Sequence, residues 1–219
     1  MTMTNVPFSI ILLAAAAVLI LLGTAQRVLD RMRLTDTAAV ILLGLLIAAH
    51  FLPAVPITPN IGIQLGALVP LGVIIYLFAT AERHERIRAL AISLAAAAVL
   101  WLSDQLLPTL PGQLPFDIDP LYVPGVAAGL LSYFTTKSRR TAFISATAAV
   151  FLSDLAAILA ISLKTYHART VIGGGGIFDA LVINGVLAVL IAEGIGEIIE
   201  RIHRGKATVA GHEDGDNND

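Results

Sequence analysis

The chain contains no cysteine. That excludes a disulfide framework, a zinc–thiolate centre and a thiol nucleophile. It is also short of charge: 14% of its 219 residues are Asp, Glu, Lys or Arg, against about 25% in soluble domains. The net charge of −2 names no partner, and without a basic patch a nucleic-acid role has nothing to stand on. The five histidines are scattered, so no histidine metal site is expected, and nothing in the sequence calls for a metal or cofactor. No serine has a histidine partner in a hydrolase arrangement. The first basic residue is Arg27, too late for the positive start of a signal peptide, so the alanine-rich beginning reads as an uncleaved helix.

What the chain has instead is apolar length. Hydrophobic residues make up 57% and the mean hydropathy is +0.83. The fold expected is an all-α polytopic transmembrane bundle of about seven helices. They run from about Pro7 to Thr24, Thr37 to Leu52, Ile61 to Thr80, Ala89 to Leu107, Tyr122 to Thr136, Thr141 to Leu163 and Ile177 to Ile202. The fifth is short for a full crossing. The uncharged link Pro53–Asn60 precedes the third span, and AERHERIR (residues 81–88) reads as a short charged turn before the fourth. Residues 1–204 form the membrane domain, and 205–219 read as a disordered acidic tail.

Twelve of the 14 Lys and Arg residues fall in the turns after the first, third, fifth and seventh spans. The positive-inside rule then places the N-terminus outside and the C-terminus in the cytoplasm. The third and fourth spans also resemble the fifth and sixth. Val69–Thr80 lies against Val123–Thr136, Arg88–Ser93 against Arg140–Ser145, and Leu102–Leu106 against Leu152–Ala156. This order points to a parallel repeat that makes Asp104 and Asp154 equivalent.

An acidic residue within a membrane span is costly and marks a candidate site. At about 1.5 Å of rise per residue, Asp104 and Asp154 lie roughly 22 and 20 Å from the inner ends of their spans, in the outer third of the apolar core. Asp179 enters from outside at a similar depth, behind the glycine run Gly173, Gly174, Gly175 and Gly176. The three carboxylates are expected to share one outer-half proton- or ion-binding site, with Asn184 one turn further in. The glycines form an open backbone loop. They are not a phosphate loop, because no Gly-Lys-Ser/Thr follows. The bland readings are a wet helix end for Asp104, a hydrogen bond to a serine or a backbone group for Asp154, an N-terminal capping charge for Asp179, and a cross-helix packing bond for Asn184. Glu197 and Arg201 have the spacing of an exposed helix pair, and Glu193 sits on the wrong side to join the aspartates.

TAFISATAAVFLSDLAAIL followed by VIGGGGIFDALVINGVLAVLIA resembles the closing segment of a prokaryotic membrane protein family, domain-of-unknown-function family 1614. NIGIQLGALVPLGVIIYLF is similar to that family's earlier Gly- and Pro-containing segment, so the resemblance covers roughly Asn60 to Ala192. It implies a multi-pass protein of a prokaryotic cell membrane, with aspartates at the positions of Asp154 and Asp179. Where the family pattern has Gly before the first Asp and after the second, this chain has Ser153 and Ala180, and Asn184 replaces a small residue.

Two activities fit such a site: proton- or cation-coupled transport, and intramembrane aspartyl proteolysis with Asp154 and Asp179 as catalytic dyad. Presenilin-like and prepilin peptidases place Gly immediately before the second Asp; here Phe178 stands there. A structural or regulatory membrane subunit is the third reading. The expected partners are the lipid bilayer and either a small ion or solute or a membrane peptide.

Overall fold

The computed structural model describes residues 52–106, 122–163, 170–172 and 180–213, with residues 30, 32, 37, 41 and 45 in isolation. The first expected span, most of the second and Gly173–Asp179 therefore lie outside the described residues. Among the described residues there are five α-helices and a three-stranded sheet. The helices are α1 (Leu68–Ala79), α2 (Arg83–Leu106), α3 (Val123–Thr136), α4 (Arg139–Ser162) and α5 (Ala180–Glu213). The strands are β1 (Ala54–Thr58), β2 (Ile61–Gln64) and β3 (Thr170–Ile172).

The fold is thus mostly helical rather than all-α. The expected third span begins as strand, passes through a 3-10 turn at Leu65–Ala67, and becomes helix only at Leu68. The local chemistry explains this. Pro59 and Asn60 form a two-residue turn between β-branched residues, and Ile-Gly-Ile-Gln alternates with the period of a strand. Thr58 Oγ1 accepts a hydrogen bond from the Ile61 amide at 3.0 Å. β2 pairs antiparallel with β1 and parallel with β3.

Among the described residues three helical stretches are long and apolar enough to cross a bilayer: Arg83–Ser103, Arg139–Ser162 and Ala180–Ile202. The 12 residues of α1 and the 14 of α3 reach only about 18 and 21 Å, well short of a core about 30 Å thick. Of the expected spans among the described residues, the third and fifth are therefore short helices. α2 also starts earlier than expected, taking in most of the charged stretch. α5 continues to Glu213, into the stretch expected as a tail.

α4 is the centre of the bundle. It packs against α1, α2, α3 and α5, and α3 also lies along α5. α3 and α5 run in the same direction, because Gly125 meets Asn184 and Gly129 meets Ala188. The starts of α2 and α4 lie beside the ends of α1 and α3. Arg140 donates to the Leu77 carbonyl through Nε (3.1 Å) and Nη2 (2.6 Å), and also to Thr80 Oγ1. Arg86 donates to Ala81 O and Ala79 O, and Arg88 to Thr135 O. The arginines thus occupy the carbonyl ends of α1 and α3, where the helix dipole favours a cation. Ser138 caps α4 by accepting from the Thr141 amide at 3.2 Å. This arginine end is one face of the bundle; the sheet lies at the other, ahead of α1 and α5.

Small residues dominate the centre. Ala96, Ala128, Ala142, Ala146, Ala149, Ala188 and Ala192 form one buried cluster with Ile92 and Tyr133. Large apolar side chains face outward instead: Ile75, Phe134 and Leu163 are each 69% exposed. In water that surface would be a liability; in a bilayer it meets lipid tails.

Candidate functional site

Asp154 sits in α4, partly buried. Val150 and Ile158 lie one helical turn to either side of it, on the same face. Both belong to a cluster with Ala67, Phe151, Ile172, Leu181, Ile63 and Ala180. The sheet contributes Ile63 and Ile172, and the head of α5 contributes Ala180 and Leu181. The α4 face that carries Asp154 is therefore the one approached by the sheet and by the start of α5. Asp104 lies in the last turn of α2, and its side chain is outside the described residues. Asp179 and Gly173 to Gly176 are outside them as well.

Asn184 is fully buried, one turn into α5. Its Oδ1 accepts a hydrogen bond from the Gly125 amide at 2.7 Å, and its Nδ2 donates to the Ala180 carbonyl at 2.9 Å. Gly125 is in the first turn of α3, where amides have no partner within their own helix. Asn184 therefore supplies from α5 the cap that α3 lacks locally, since no side chain of its own caps that end. The contact demands glycine: a Cβ at position 125 would lie 2.8 Å from Asn184 Oδ1 and 3.0 Å from its carbonyl oxygen. Asn184→Leu keeps the bulk but strands the Gly125 amide. It is expected to lower stability by about 1–3 kcal/mol, measured as an earlier unfolding midpoint in detergent; an unchanged midpoint would remove the cap from the account.

At the arginine end the chain buries an ion pair that sequence reasoning missed. Arg139 Nε donates to Glu193 Oε2 at 2.7 Å, with only 6% and 12% of the two side chains exposed. Nη1 of Arg139 donates to the Lys137 carbonyl at 2.8 Å. The guanidinium carbon stands 5.8 Å from the centre of the Tyr133 ring, within cation–π range. Gly196 lies against Arg139 Nη2 so closely that a Cβ there would collide with it. The signal available was Glu193 within an apolar run followed by Gly194 and Gly196. By contrast Glu197 and Arg201 form the surface pair expected of their spacing, at 3.7 Å. Among the described residues no group of three or more His, Cys, Asp or Glu side chains is arranged to hold a metal ion.

The sheet, α1 to α4 and the head of α5 all fall within a matched family. The profile described as protein of unknown function (DUF1614) matches residues 26–191. The chain belongs to the DUF1614 family. The match begins well before Asn60, where the resemblance in the sequence started, and ends within α5. No curated protein and no solved structure matches the chain.

Proposed function

We propose that this DUF1614 protein is a proton- or cation-coupled membrane carrier, with Asp154 as a ligand in the half of the membrane nearer the sheet. The observation that carries this reading is the position of Asp154. It is partly buried within the candidate span Arg139–Ser162, on the face shared by Val150 and Ile158. A carboxylate at such a position costs a few kcal/mol on insertion scales, and a bound proton or cation offsets that cost. Asp179 joins the same site in this reading, because the next residue, Ala180, packs in the cluster that flanks Asp154. In this reading Asp104 and Asn184 complete it, Asn184 while also capping α3 through Gly125.

The wider frame of the proposal is a multi-pass protein with the sheet outside and the arginine end in the cytoplasm. The grouping of Arg86, Arg88, Arg139 and Arg140 at one end supports that orientation. Two successive units of a short helix followed by a 24-residue helix, α1–α2 and α3–α4, support the parallel repeat.

The test is flux in proteoliposomes under imposed proton and cation gradients. A gradient-dependent flux carried by the purified protein supports the proposal. Its absence in folded protein, together with cleavage of a single-span peptide, would replace the carrier with a protease. Shared use of Asp154 and Asp179 is tested separately with cysteines at both positions and a short bifunctional thiol reagent. Bridging is expected; its failure with both thiols reactive would separate the two carboxylates.

A further inference from the structure

The basic residues at the arginine end are not equally engaged. Arg86 and Arg140 donate to carbonyls at and just after the end of α1, and Arg139 is paired with Glu193. Arg88 and Lys137 differ, and both are exposed. Arg88 uses Nη1 alone, donating to the Thr135 carbonyl at 3.2 Å; among the described residues its Nε and Nη2 have no acceptor. Lys137 follows the last residue of α3. Its amide donates to Ser132 O and Tyr133 O, and its carbonyl accepts from Arg139 Nη1, so its backbone is held in place. No carboxylate pairs with its ammonium among the described residues.

Lys137 has a left-handed backbone, with φ at 52°, and is the only residue besides glycine with a positive φ among the described residues. Glycine fits that position after a helix end without strain. Lysine accepts the strain and supplies a charge. The charge lands beside Arg88. Arg88 is fixed on Thr135, and Lys137 is two residues further on, so the Cα atoms of Thr135 and Lys137 are at most about 7.6 Å apart. The acid nearest by contact is Glu85. Its Oε1 accepts from Ser138 Oγ at 3.5 Å and its Oε2 from the Glu82 amide at 3.4 Å. Arg88 lies about 4.5 Å further along the axis of α2, away from the arginine end.

What lies beyond Arg88 is apolar and open. Ala91 and Ala95 follow on its face of α2, and both are exposed. α3 packs against α2. On it, Leu131 stands one turn before Thr135 and is 37% exposed, with the exposed ring of Phe134 nearby. The two helices run in opposite directions, so Ala91 and Leu131 lie on the same side of the Arg88–Thr135 contact. The small side chains of α2 leave a shallow furrow beside Leu131, and two cations stand at its end.

We propose that this α2–α3 furrow binds an anionic phospholipid, with the phosphate held by Arg88 and Lys137 and one acyl chain lying along Ala91, Ala95 and Leu131. A guanidinium with two nitrogens open suits a pair of phosphate oxygens, and the ammonium adds a point charge. Basic pockets between membrane helices take anionic headgroups in this way. A zwitterionic lipid would bring its own cation to a place that already holds two. The site needs only a chain that lies in a bilayer, so it goes beyond the carrier reading and is independent of it.

The test uses the whole protein in neutral detergent, titrated with phosphatidylglycerol or with phosphatidylcholine. The readouts are the rise in melting temperature and the half-saturating lipid concentration. Phosphatidylglycerol is expected to raise the melting temperature by mass action, and phosphatidylcholine is not. Lys137→Gly and Arg88→Gln are each expected to raise the half-saturating concentration of phosphatidylglycerol about fivefold, the effect of one basic residue near an anionic lipid surface. Arg201→Gln removes an exposed cation of α5 and is expected to leave it unchanged. Equal responses to the two lipids, or an unchanged half-saturation in Lys137→Gly, overturn the proposal. An equal loss in Arg201→Gln overturns it as well, because the response then follows diffuse surface charge. Inorganic phosphate at matched ionic strength is expected to give no rise; a rise equal to that with phosphatidylglycerol replaces the lipid with a free anion. Arg88→Gln also removes the donor to Thr135 O and can lower stability by itself. Lys137→Gly does not share that weakness, since glycine suits the left-handed backbone, and its melting temperature without lipid is expected to be no lower than that of the parent chain.

Discussion

Arg139→Ala is expected to destabilise the protein by about 3–5 kcal/mol, the cost of leaving one member of a buried ion pair uncompensated. The geometry supports the upper part of that range. Glu193 is 12% exposed, so water cannot easily replace the lost guanidinium. The substitution also takes away the donor to the Lys137 carbonyl and the cation above Tyr133. It leaves the space that Gly196 keeps open without an occupant. Arg139→Lys rescues only part of the loss, because an ammonium cannot reproduce the planar, multiply donating group. The double variant Arg139→Met/Glu193→Leu is expected to recover much of the stability, since no charge is then stranded. Unfolding midpoints of both single variants and the double variant decide the matter. Strict additivity would mean that the two side chains are neighbours without being coupled.

Asp154→Asn is expected to abolish coupled flux while the fold survives. Asparagine has nearly the same shape, and the neighbouring apolar groups Val150, Phe151 and Ile158 are left as they are. What disappears is the capacity to release a proton or to hold a cation by charge. Asp154→Glu keeps that capacity and is expected to retain measurable transport. The readout is initial flux per folded protein, alongside melting temperature. Full transport by Asp154→Asn would return this residue to a packing role and remove the carrier proposal's central ligand.

The long spans were legible because α2, α4 and α5 are dense in alanine, leucine, isoleucine and valine over two dozen residues or so. Their boundaries moved where charged side chains fold back on the helices. Arg83 to Arg88 read as a turn because of its charge, yet Arg86 and Arg88 serve carbonyls at nearby helix ends. The hairpin was hidden by treating Ile61 to Thr80 as one apolar run; strand period in Ile61–Gln64 is too brief to stand out beside the helix that follows. The positions of Asp104, Asp154 and Asn184 were visible as polar residues in apolar helices. The cap that Asn184 provides to Gly125 was not, because the two residues are far apart in sequence and only the closeness of two backbones brings them together. Glu193 was set aside for its depth; its partner is the first residue of α4, in a turn that looked merely basic.

The parallel pairing of Ile61–Ile63 with Thr170–Ile172 has a consequence for the order of assembly. During synthesis β1 and β2 emerge together and can pair at once, but β3 follows only after α1 to α4 have been made. Closing a loop of roughly a hundred residues carries an entropic cost that local pairings avoid, so the third strand must dock late, onto helices already in place. Until then β2 has an open edge, and a nascent chain arrested after α4 would present that edge to other chains. The sheet is therefore the last join of the bundle, and a protease-sensitive hairpin in truncated chains would mark the moment before it is made.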